Sequence, residues 1–253
     1  MCVLALAWCA HPRWRLVMAG NRDELHARPA QPLARWDAPN HLLAGKDLQS
    51  GGTWLGVSEQ GRFGVVTNLR GFGPPRTGRP SRGILLRDLL SAGGHYACPS
   101  EIDLMDFNPL NLINVDFDEA TFLSNRPTST RQVLAPGVYG LSNGSLNEPW
   151  PKTVKLKSIL LDWVAAGAQQ PEHLLDKLRD DTLPEFGEGS AVPSDVPQEA
   201  PISPIFIKNS IYGTRCSTIV AIDALGQGFI VERRFTSNGD TSGETALSFS
   251  WRP

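Results

Sequence analysis

The sequence predicts an α+β fold in which strands come first and last along the chain and a few helices lie between them. Apolar runs with strand character open and close the sequence, and two amphipathic segments with helical spacing separate them. No internal repeat is evident. This order of elements favours one domain over residues 1–253, with its helices packed on the faces of sheets.

Composition indicates a globular protein and excludes several classes of function. The 253 residues are 41% hydrophobic and 20% charged, enough to bury a sizeable core. A net charge of -2 gives no case for a nucleic-acid partner, and the absence of any run of 18 apolar residues predicts no membrane span. The four cysteines lack C-x-x-C spacing and the five histidines lack metal-ligand spacing, so we expect no metal, no cofactor and a cytoplasmic chain with reduced thiols.

Two apolar runs at the start of the chain predict an antiparallel hairpin. Residues 2–9 and 14–20 have strand character and are separated by a turn at Pro12. The polar residues "NRDE" then form the end of the second strand and a turn. The following segment "ARPAQPLARWDAPN" has no clear period and is predicted to be a loop.

A second hairpin is the clearest in the chain, in "GGTWLGVSEQGRFGVVTNLRG", where "TWLGVS" and "FGVVTN" flank the polar turn "EQGR". A loop rich in proline and glycine follows, and "SRGILLRDLLSAGG" has the pattern of an amphipathic helix with a glycine stop. A short helix is predicted from Glu101 to Phe107. The segments "LNLINVDF" and "ATFLSN" predict a further pair of strands.

The last third of the chain is predicted to hold helices, a long loop and three strands. The segment "EPWPKTVKLKSILLDWVAAG" has helical spacing, and prolines suit its approach and first turn. Residues 171–179 predict a short helix, and 184–204 predict a surface loop rich in Pro, Ser and Glu. The segments "RCSTIVAID", "GFIVERRF" and "TALSFSW" predict strands.

Cys2, at the head of the first strand, has two interpretations. It is either a small buried hydrophobic residue or, after removal of Met1, a terminal nucleophile. In the second case its own α-amine, with a pKa near ~7.7–8.0, accepts the proton of a thiol whose pKa is near ~8.5. Cys9, Cys98 and Cys216 lie in apolar or strand-like surroundings, so their thiols are expected to react slowly.

Polar residues at strand ends supply candidate partners for Cys2. Within "NRDE", Asp23 could orient the α-ammonium and Arg22 could lower the thiol pKa, because the hairpin brings the strand ends together. Alternatively, these residues only cap a loop. Asn68 and Asn143 lie at a strand end and before a helix, where asparagine serves either as a turn residue or as an oxyanion donor.

Four further residues are weaker candidates. Arg215 begins a late strand, either as a surface ion-pair partner or as a cation of the site. Trp54 and Trp36 lie in segments that flank the predicted site, and His26 follows "NRDEL". These last three could line a substrate pocket, although most tryptophans anchor a core and most histidines lie on the surface.

Several motifs together resemble one known family. "AGNRDE", "GGTWLGVSEQGRFGVVTNLR", "SRG", "YGLSNG" with "EPWPK", and "YGTRCST" resemble the NRDE family, also called TANGO2 or transport and Golgi organisation 2. The resemblance runs in order from Cys2 to about Thr218. Members of the family are linked to secretory-pathway organisation, lipid metabolism and haem mobilisation, without an agreed reaction.

That family in turn looks like the cholylglycine hydrolase and penicillin V acylase branch of the N-terminal nucleophile hydrolases. The resemblance implies a four-layer αββα sandwich. It also implies that Cys2 is nucleophile and base and that Asp23 binds the α-amine. It further implies that Asn68 donates to the oxyanion, Asn143 holds the amine or substrate, and Arg215 supplies positive charge.

Two functions follow from these resemblances. The first is an N-terminal cysteine hydrolase that cleaves an amide or thioester bond in an unknown small substrate. The alternative is a non-catalytic binding or trafficking protein, related to lipid or haem, on the same fold. Arg22 and Asp23 are adjacent here, whereas the hydrolases separate the pair by two residues. Because strand neighbours face opposite sides, Asp23 rather than Arg22 is expected to face Cys2.

Overall fold

The computed structural model describes residues 2–37, 41–98, 102–183, 185, 187–189 and 202–251. Within this part of the chain the fold is mixed α/β, with mostly antiparallel sheets and few helices. The strands are β1 (Cys2–His11), β2 (Trp14–Leu25), β3 (Ala30–Arg35), β4 (Leu42–Asp47), β5 (Leu55–Ser58), β6 (Arg62–Asn68), β7 (Leu110–Val115), β8 (Ala120–Ser124), β9 (Thr130–Val133), β10 (Gly137–Leu141), β11 (Tyr212–Asp223), β12 (Gln227–Phe235) and β13 (Thr241–Ser250). The α-helices are α1 (Arg82–Ser91), α2 (Pro151–Ala165) and α3 (Leu174–Lys177).

The strands form two antiparallel sheets. One has the order β10-β1-β2-β11-β12-β13 and the other β3-β4-β5-β6-β7-β8-β9. The predicted N-terminal hairpin is confirmed, because β1 pairs antiparallel with β2 from Cys2 opposite Arg22 to His11 opposite Trp14. The predicted hairpin of β5 and β6 is confirmed as well. The first sheet therefore places Cys2 at one end of its second strand.

Side chains of alternate residues on each strand enter different apolar clusters, as the period of a strand requires. Leu4 and Leu6 of β1 contribute to a cluster that also contains Phe63 of the other sheet, so the two sheets are stacked. Val3 and Ala5 face the opposite way and share a cluster with residues of α2 and α3. Helix α1 packs on the outer face of the second sheet. Helices therefore cover the outer faces of both sheets.

Three predicted elements differ from the structure. Strand β2 continues to Leu25, so "NRDE" lies inside a strand, because β1 and β11 pair with β2 on both sides. The predicted loop of residues 27–40 contains β3, an edge strand in which Pro32 is tolerated because one side of an edge needs no hydrogen bonds. The sequence predicts a helix from Glu101 to Phe107, whereas the described part of that segment, residues 102–107, contains a single 3-10 turn, Leu104–Asp106, which Asp103 caps.

The principal helices begin where the sequence predicts. The Ser81 hydroxyl caps α1, accepting a hydrogen bond from the Ile84 amide at 3.3 Å, and Pro151 occupies the first turn of α2. Most of the loop predicted at 184–204 lies outside the described residues. Among the described residues, no helix is both long enough and apolar enough to span a bilayer.

Candidate active site

The strand register decides which side chains share a face of the sheet with Cys2. Arg22 lies directly opposite Cys2 on one side and opposite Cys216 on the other. Asp23 instead pairs with Thr214 and points to the helix-covered face. Arg22, rather than Asp23, therefore shares the face of the sheet with Cys2, because the hairpin register pairs Arg22 with Cys2.

The Arg22 side chain is held in place by aromatic and acidic groups. Its guanidinium lies 4.1 Å from the centre of the Trp54 ring, a cation–π geometry. Its Nη2 is 3.9 Å from carboxylate oxygens of both Glu24 and Asp47, and the side chain is only 6% exposed. A positive charge is thus fixed beside Cys2 in a largely dehydrated position.

Asp23 belongs to a buried charged group under the same end of β1. Its Oδ1 accepts a hydrogen bond from the Thr214 hydroxyl at 2.7 Å, and its Oδ2 lies 3.9 Å from Lys152 Nζ. The Asp23 and Lys152 side chains are 0% and 2% exposed. The Tyr212 hydroxyl donates to the Asp23 carbonyl oxygen at 3.2 Å. Helix α2 is therefore coupled to the strand end that carries the candidate site.

The segment between β10 and α2 fixes the backbone of Cys2. Asn143 Oδ1 accepts a hydrogen bond from the Cys2 nitrogen at 3.2 Å, and Asn143 Nδ2 donates to the Asn68 carbonyl oxygen at 2.7 Å. The Ser142 hydroxyl donates to the Cys2 carbonyl oxygen at 2.7 Å. Asn143 therefore links the nitrogen of Cys2 to the end of β6, where Asn68 lies.

The pKa of the Cys2 thiol is set by opposing effects. Burial raises it above the ordinary value, and the negative charge of Asp23 adds to the increase. The positive charge of the chain's N-terminus, the positive charge of Arg22 and a backbone hydrogen bond from Asp23 lower it, but the net shift is upward. At neutral pH the thiol is therefore mainly protonated, and a nearby base is needed to make it a nucleophile.

Five of the predicted residues line one cavity with Cys2. This cavity has a volume of about 410 Å³, and its walls include Arg22, Asp23, Trp54, Asn68 and Asn143. Residues 76–83, in the loop before α1 and its first turn, also line the cavity. Among the described residues that line the cavity, five are arginines and three carry carboxylates. These are Arg22, Arg28, Arg76, Arg79 and Arg82, and Asp23, Glu24 and Asp47.

The structure places three predicted residues elsewhere. Arg215 lies in a bulge of β11 and donates to the carbonyl oxygens of Leu25 and Arg28, at 2.8 and 3.0 Å. The Nε2 of His26 is 3.0 Å from the Asn209 carbonyl oxygen. Trp36 packs beside α1 and donates to the carbonyl oxygen of Ala44. None of the three is among the described residues that line the Cys2 cavity.

The other cysteines differ in exposure. Cys9 lies in strand β1, as expected, but its side chain is exposed, and Cys98 is exposed and lies outside a strand. The Cys9 side chain is outside the core because Cys9 lies near the end of β1 that leads into the hairpin turn, where the pairing register shifts. Cys216 is buried, and burial together with the Glu232 carboxylate raises its thiol pKa well above the ordinary value. Cys2 must therefore be distinguished from two accessible thiols in any labelling experiment.

Comparison with known proteins assigns a family. A model of the family described as "Transport and Golgi organisation 2" matches residues 1–237. The chain belongs to the Transport and Golgi organisation 2 family. It is 32% identical over 275 residues to a bovine Transport and Golgi organization protein 2 homolog, covering 97% of each chain. It is 30% identical over 260 residues to the human homolog, covering 92% of each.

The structure adds two residues to the candidate site that the sequence patterns did not indicate. Lys152 lies in the first turn of α2, where a cation opposes the helix dipole, and such a lysine indicates a nearby acidic partner. Asp47 ends β4, and its Oδ2 accepts a hydrogen bond from Arg28 Nε at 2.8 Å and lies 2.8 Å from Arg28 Nη2 in an ion pair. Burial alone raises the pKa of Asp47, but Arg28 and the Ser50 amide outweigh it and hold the pKa below the ordinary value.

Proposed function

We propose that this protein, after removal of Met1, is an N-terminal cysteine hydrolase that cleaves an amide or thioester bond in a small substrate. The observation that supports the proposal most is the setting of Cys2. Its nitrogen is bound by Asn143, its side chain lies opposite Arg22, and both of its partners line one cavity with it. A residue with a purely structural role at a strand end does not require this set of partners.

Removal of Met1 turns the Cys2 nitrogen into an α-amine with a pKa near ~7.7–8.0. That amine accepts the thiol proton, and the sulfur forms a bond to the carbonyl carbon of the substrate. The resulting oxyanion requires hydrogen-bond donors, and the Asn68 side chain is our candidate because it lines the cavity. Asn143, which binds the same nitrogen, keeps the amine beside the sulfur.

The remaining steps return the enzyme to its starting state. As the C–N or C–S bond of the substrate breaks, the α-ammonium gives its proton to the departing nitrogen or sulfur. The acyl group is then bonded to Cys2 as a thioester. Water, losing a proton to the α-amine, attacks this thioester, and the carboxylic acid leaves as the thiol regains its proton. No other reactant is needed.

Charge in the site supports this assignment. Arg22 lowers the pKa of the thiol, which opposes the effect of burial. Asp23 favours a positive charge beside Cys2, so in the processed protein it stabilises the α-ammonium that forms during attack. The excess of arginines over carboxylates in the wall of the cavity favours a substrate that carries an anionic group.

The fold gives further support. Two stacked antiparallel sheets with helices on their outer faces suit the αββα sandwich of the N-terminal nucleophile hydrolases. In our proposal the chain is one domain of that type. Cys2 begins a strand inside one of the sheets, rather than lying on a loop.

Two forms of the protein test the proposal. One begins at Cys2, prepared by cleaving an N-terminal tag, and the other carries an extra glutamate between Met1 and Cys2 that prevents processing. We expect the first form, and not the second, to release amines from a panel of acyl amides or thiols from acyl thioesters. Cys2→Ser in the first form retains the amine but weakens the nucleophile, so its turnover should fall at least ~100-fold.

Absence of turnover by the form that begins at Cys2 would overturn the proposal. Saturable binding of a panel member without turnover would favour the non-catalytic alternative. Cys2→Ala, with its folding checked by circular dichroism, separates loss of chemistry from loss of structure.

A further inference from the structure

Cys2 lines a second, much smaller cavity between the two sheets. It has a volume of about 20 Å³. Its walls are mainly apolar and include Leu4 and Met18 of one sheet, and Leu55 and Val65 of the other. All four side chains belong to the core cluster between the sheets. We call this space the acyl recess.

Cys2 lines both the acyl recess and the large cavity. Arg22 and Trp54 also line both spaces. The two spaces differ in size and polarity. The large cavity holds about 410 Å³ and is rich in charged groups, whereas the recess holds about 20 Å³ and its walls are mainly apolar, with Asn21, Arg22 and Thr218 as their polar residues. A carbonyl carbon bonded to the Cys2 sulfur can therefore direct one substituent into each space.

The volume of the recess limits what can enter. A space of about 10–15 Å³ accessible to a water-sized probe holds one water molecule, so the recess admits one group of about methyl size. Its wall at Gly20 is already tight, because a Cβ there would lie 2.9 Å from both Leu4 Cβ and the Val3 carbonyl oxygen. Longer chains would have to displace close-packed core side chains, which is costly.

We infer that, if the proposed function holds, the substrate is a short-chain acyl derivative, formyl or acetyl, whose departing group occupies the large cavity. The polarity of the two spaces fixes this direction. A departing amine carries N–H groups that lose their hydrogen bonds in an apolar recess, whereas a methyl group loses none. The polar walls of the large cavity supply partners for the departing group.

The test is a series of formyl, acetyl, propanoyl, butanoyl and hexanoyl amides of one chromogenic aminonitrobenzoate. The departing group is constant and anionic, so only the acyl length changes. With the protein that begins at Cys2, we expect kcat/KM for the butanoyl amide to be at least ~10-fold below that for the acetyl amide. Misfit of a methylene in a closed apolar pocket changes kcat/KM by about 10–200-fold.

A matched pair of variants assigns the limit to the recess. Val65→Ala enlarges it and should raise the ratio of butanoyl to acetyl kcat/KM about 10-fold. Val57 belongs to the same core cluster but does not line the recess, so Val57→Ala should leave the ratio unchanged. Both kcat/KM values of a ratio are measured on the same protein preparation, so a smaller folded fraction lowers both values equally and leaves the ratio unchanged.

The outcomes separate the two proposals. No turnover of any amide or thioester in the panel overturns the hydrolase, and with it the inference. Turnover of other panel members with no release of amine from the series overturns the short-acyl inference alone. Cys2-dependent release that is equal for all lengths, or fastest for hexanoyl, overturns the short-acyl inference and leaves the hydrolase standing. An unchanged ratio in Val65→Ala would show that the recess does not select the acyl group.

Discussion

Asp23→Asn tests whether the buried charges of Asp23 and Lys152 stabilise the fold as an ion pair. The substitution keeps the size of the side chain and an oxygen that can accept the Thr214 hydrogen bond. It removes the carboxylate charge 3.9 Å from Lys152 Nζ, where the two side chains are 0% and 2% exposed. Because removing one member of a buried ion pair is expensive, we expect the free energy of unfolding to fall by about 3–5 kcal/mol.

The companion variant is Asp23→Asn with Lys152→Met. Replacing both members of a buried ion pair with neutral groups is often nearly neutral, because the desolvation cost of each charge disappears as well. We expect the double variant to be within about 2 kcal/mol of the wild type and clearly more stable than Asp23→Asn alone. Urea unfolding gives the free energy of unfolding of the wild type, the single variant and the double variant. If the dependence of this free energy on urea concentration has the same slope in all three, their midpoints can be compared directly.

The same variant has a second readout at Cys2. The charge of Asp23 raises the pKa of the Cys2 thiol, so Asp23→Asn should shift alkylation of Cys2 to lower pH in the chain that retains Met1. Cys9 is the internal control, because burial and Arg15 determine its pKa. A loss of stability below about 1 kcal/mol, no recovery in the double variant and an unmoved Cys2 profile would refute the reasoning.

Three further predictions concern other parts of the site. Alkylation of Cys2 should begin at lower pH after Met1 is removed, because the terminal ammonium, which already lowers the thiol pKa, then lies on Cys2 itself, one residue nearer to the thiol. Identical pH profiles in mass-mapped labelling would contradict this. Because the pKa of Asp47 is lowered, Asp47→Asn should reduce the free energy of unfolding by about 2 kcal/mol above pH ~4, and this loss should shrink as the pH falls through the folded pKa. A loss that does not change with pH in urea unfolding would exclude this linkage. Gly52→Ala should destabilise the protein by more than about 3 kcal/mol, because a Cβ at this position would lie 2.1 Å from the carbonyl carbon of Gly83. Gly93→Ala, whose Cβ would have no contact under 3.6 Å, should change stability by less than about 1 kcal/mol. Equal effects of the two variants in thermal unfolding would refute the clash.

The hairpins and principal helices could be predicted because their signals are local. The turns at Pro12 and "EQGR", the Ser81 cap and Pro151 act over a few residues. Strand β3 could not be predicted, because Pro32 is tolerated only at a sheet edge, and edge position depends on the whole topology. The inclusion of "NRDE" in β2 similarly depends on β11, almost 200 positions later in the chain.

The site was predictable in composition but not in orientation. Cys2, Asp23, Asn68 and Asn143 line one cavity, whereas the choice between Arg22 and Asp23 as the residue on the Cys2 face depends on the strand register, which their positions in the sequence do not reveal. Lys152 depends on a long-range ion pair, for which the only local signal is a cation in the first turn of a helix.

The measurement that tests Cys2 as the nucleophile most directly is the mass of the protein during a single turnover. Protein that begins at Cys2 is mixed with the acetyl amide, quenched in acid, and mapped by peptide mass. We predict one added acetyl group on the Cys2 peptide, no addition at Cys9, Cys98 or Cys216, and none in Cys2→Ala. Release of amine with an unmodified Cys2 peptide at every quench time, and with equal turnover by Cys2→Ala, would contradict the account.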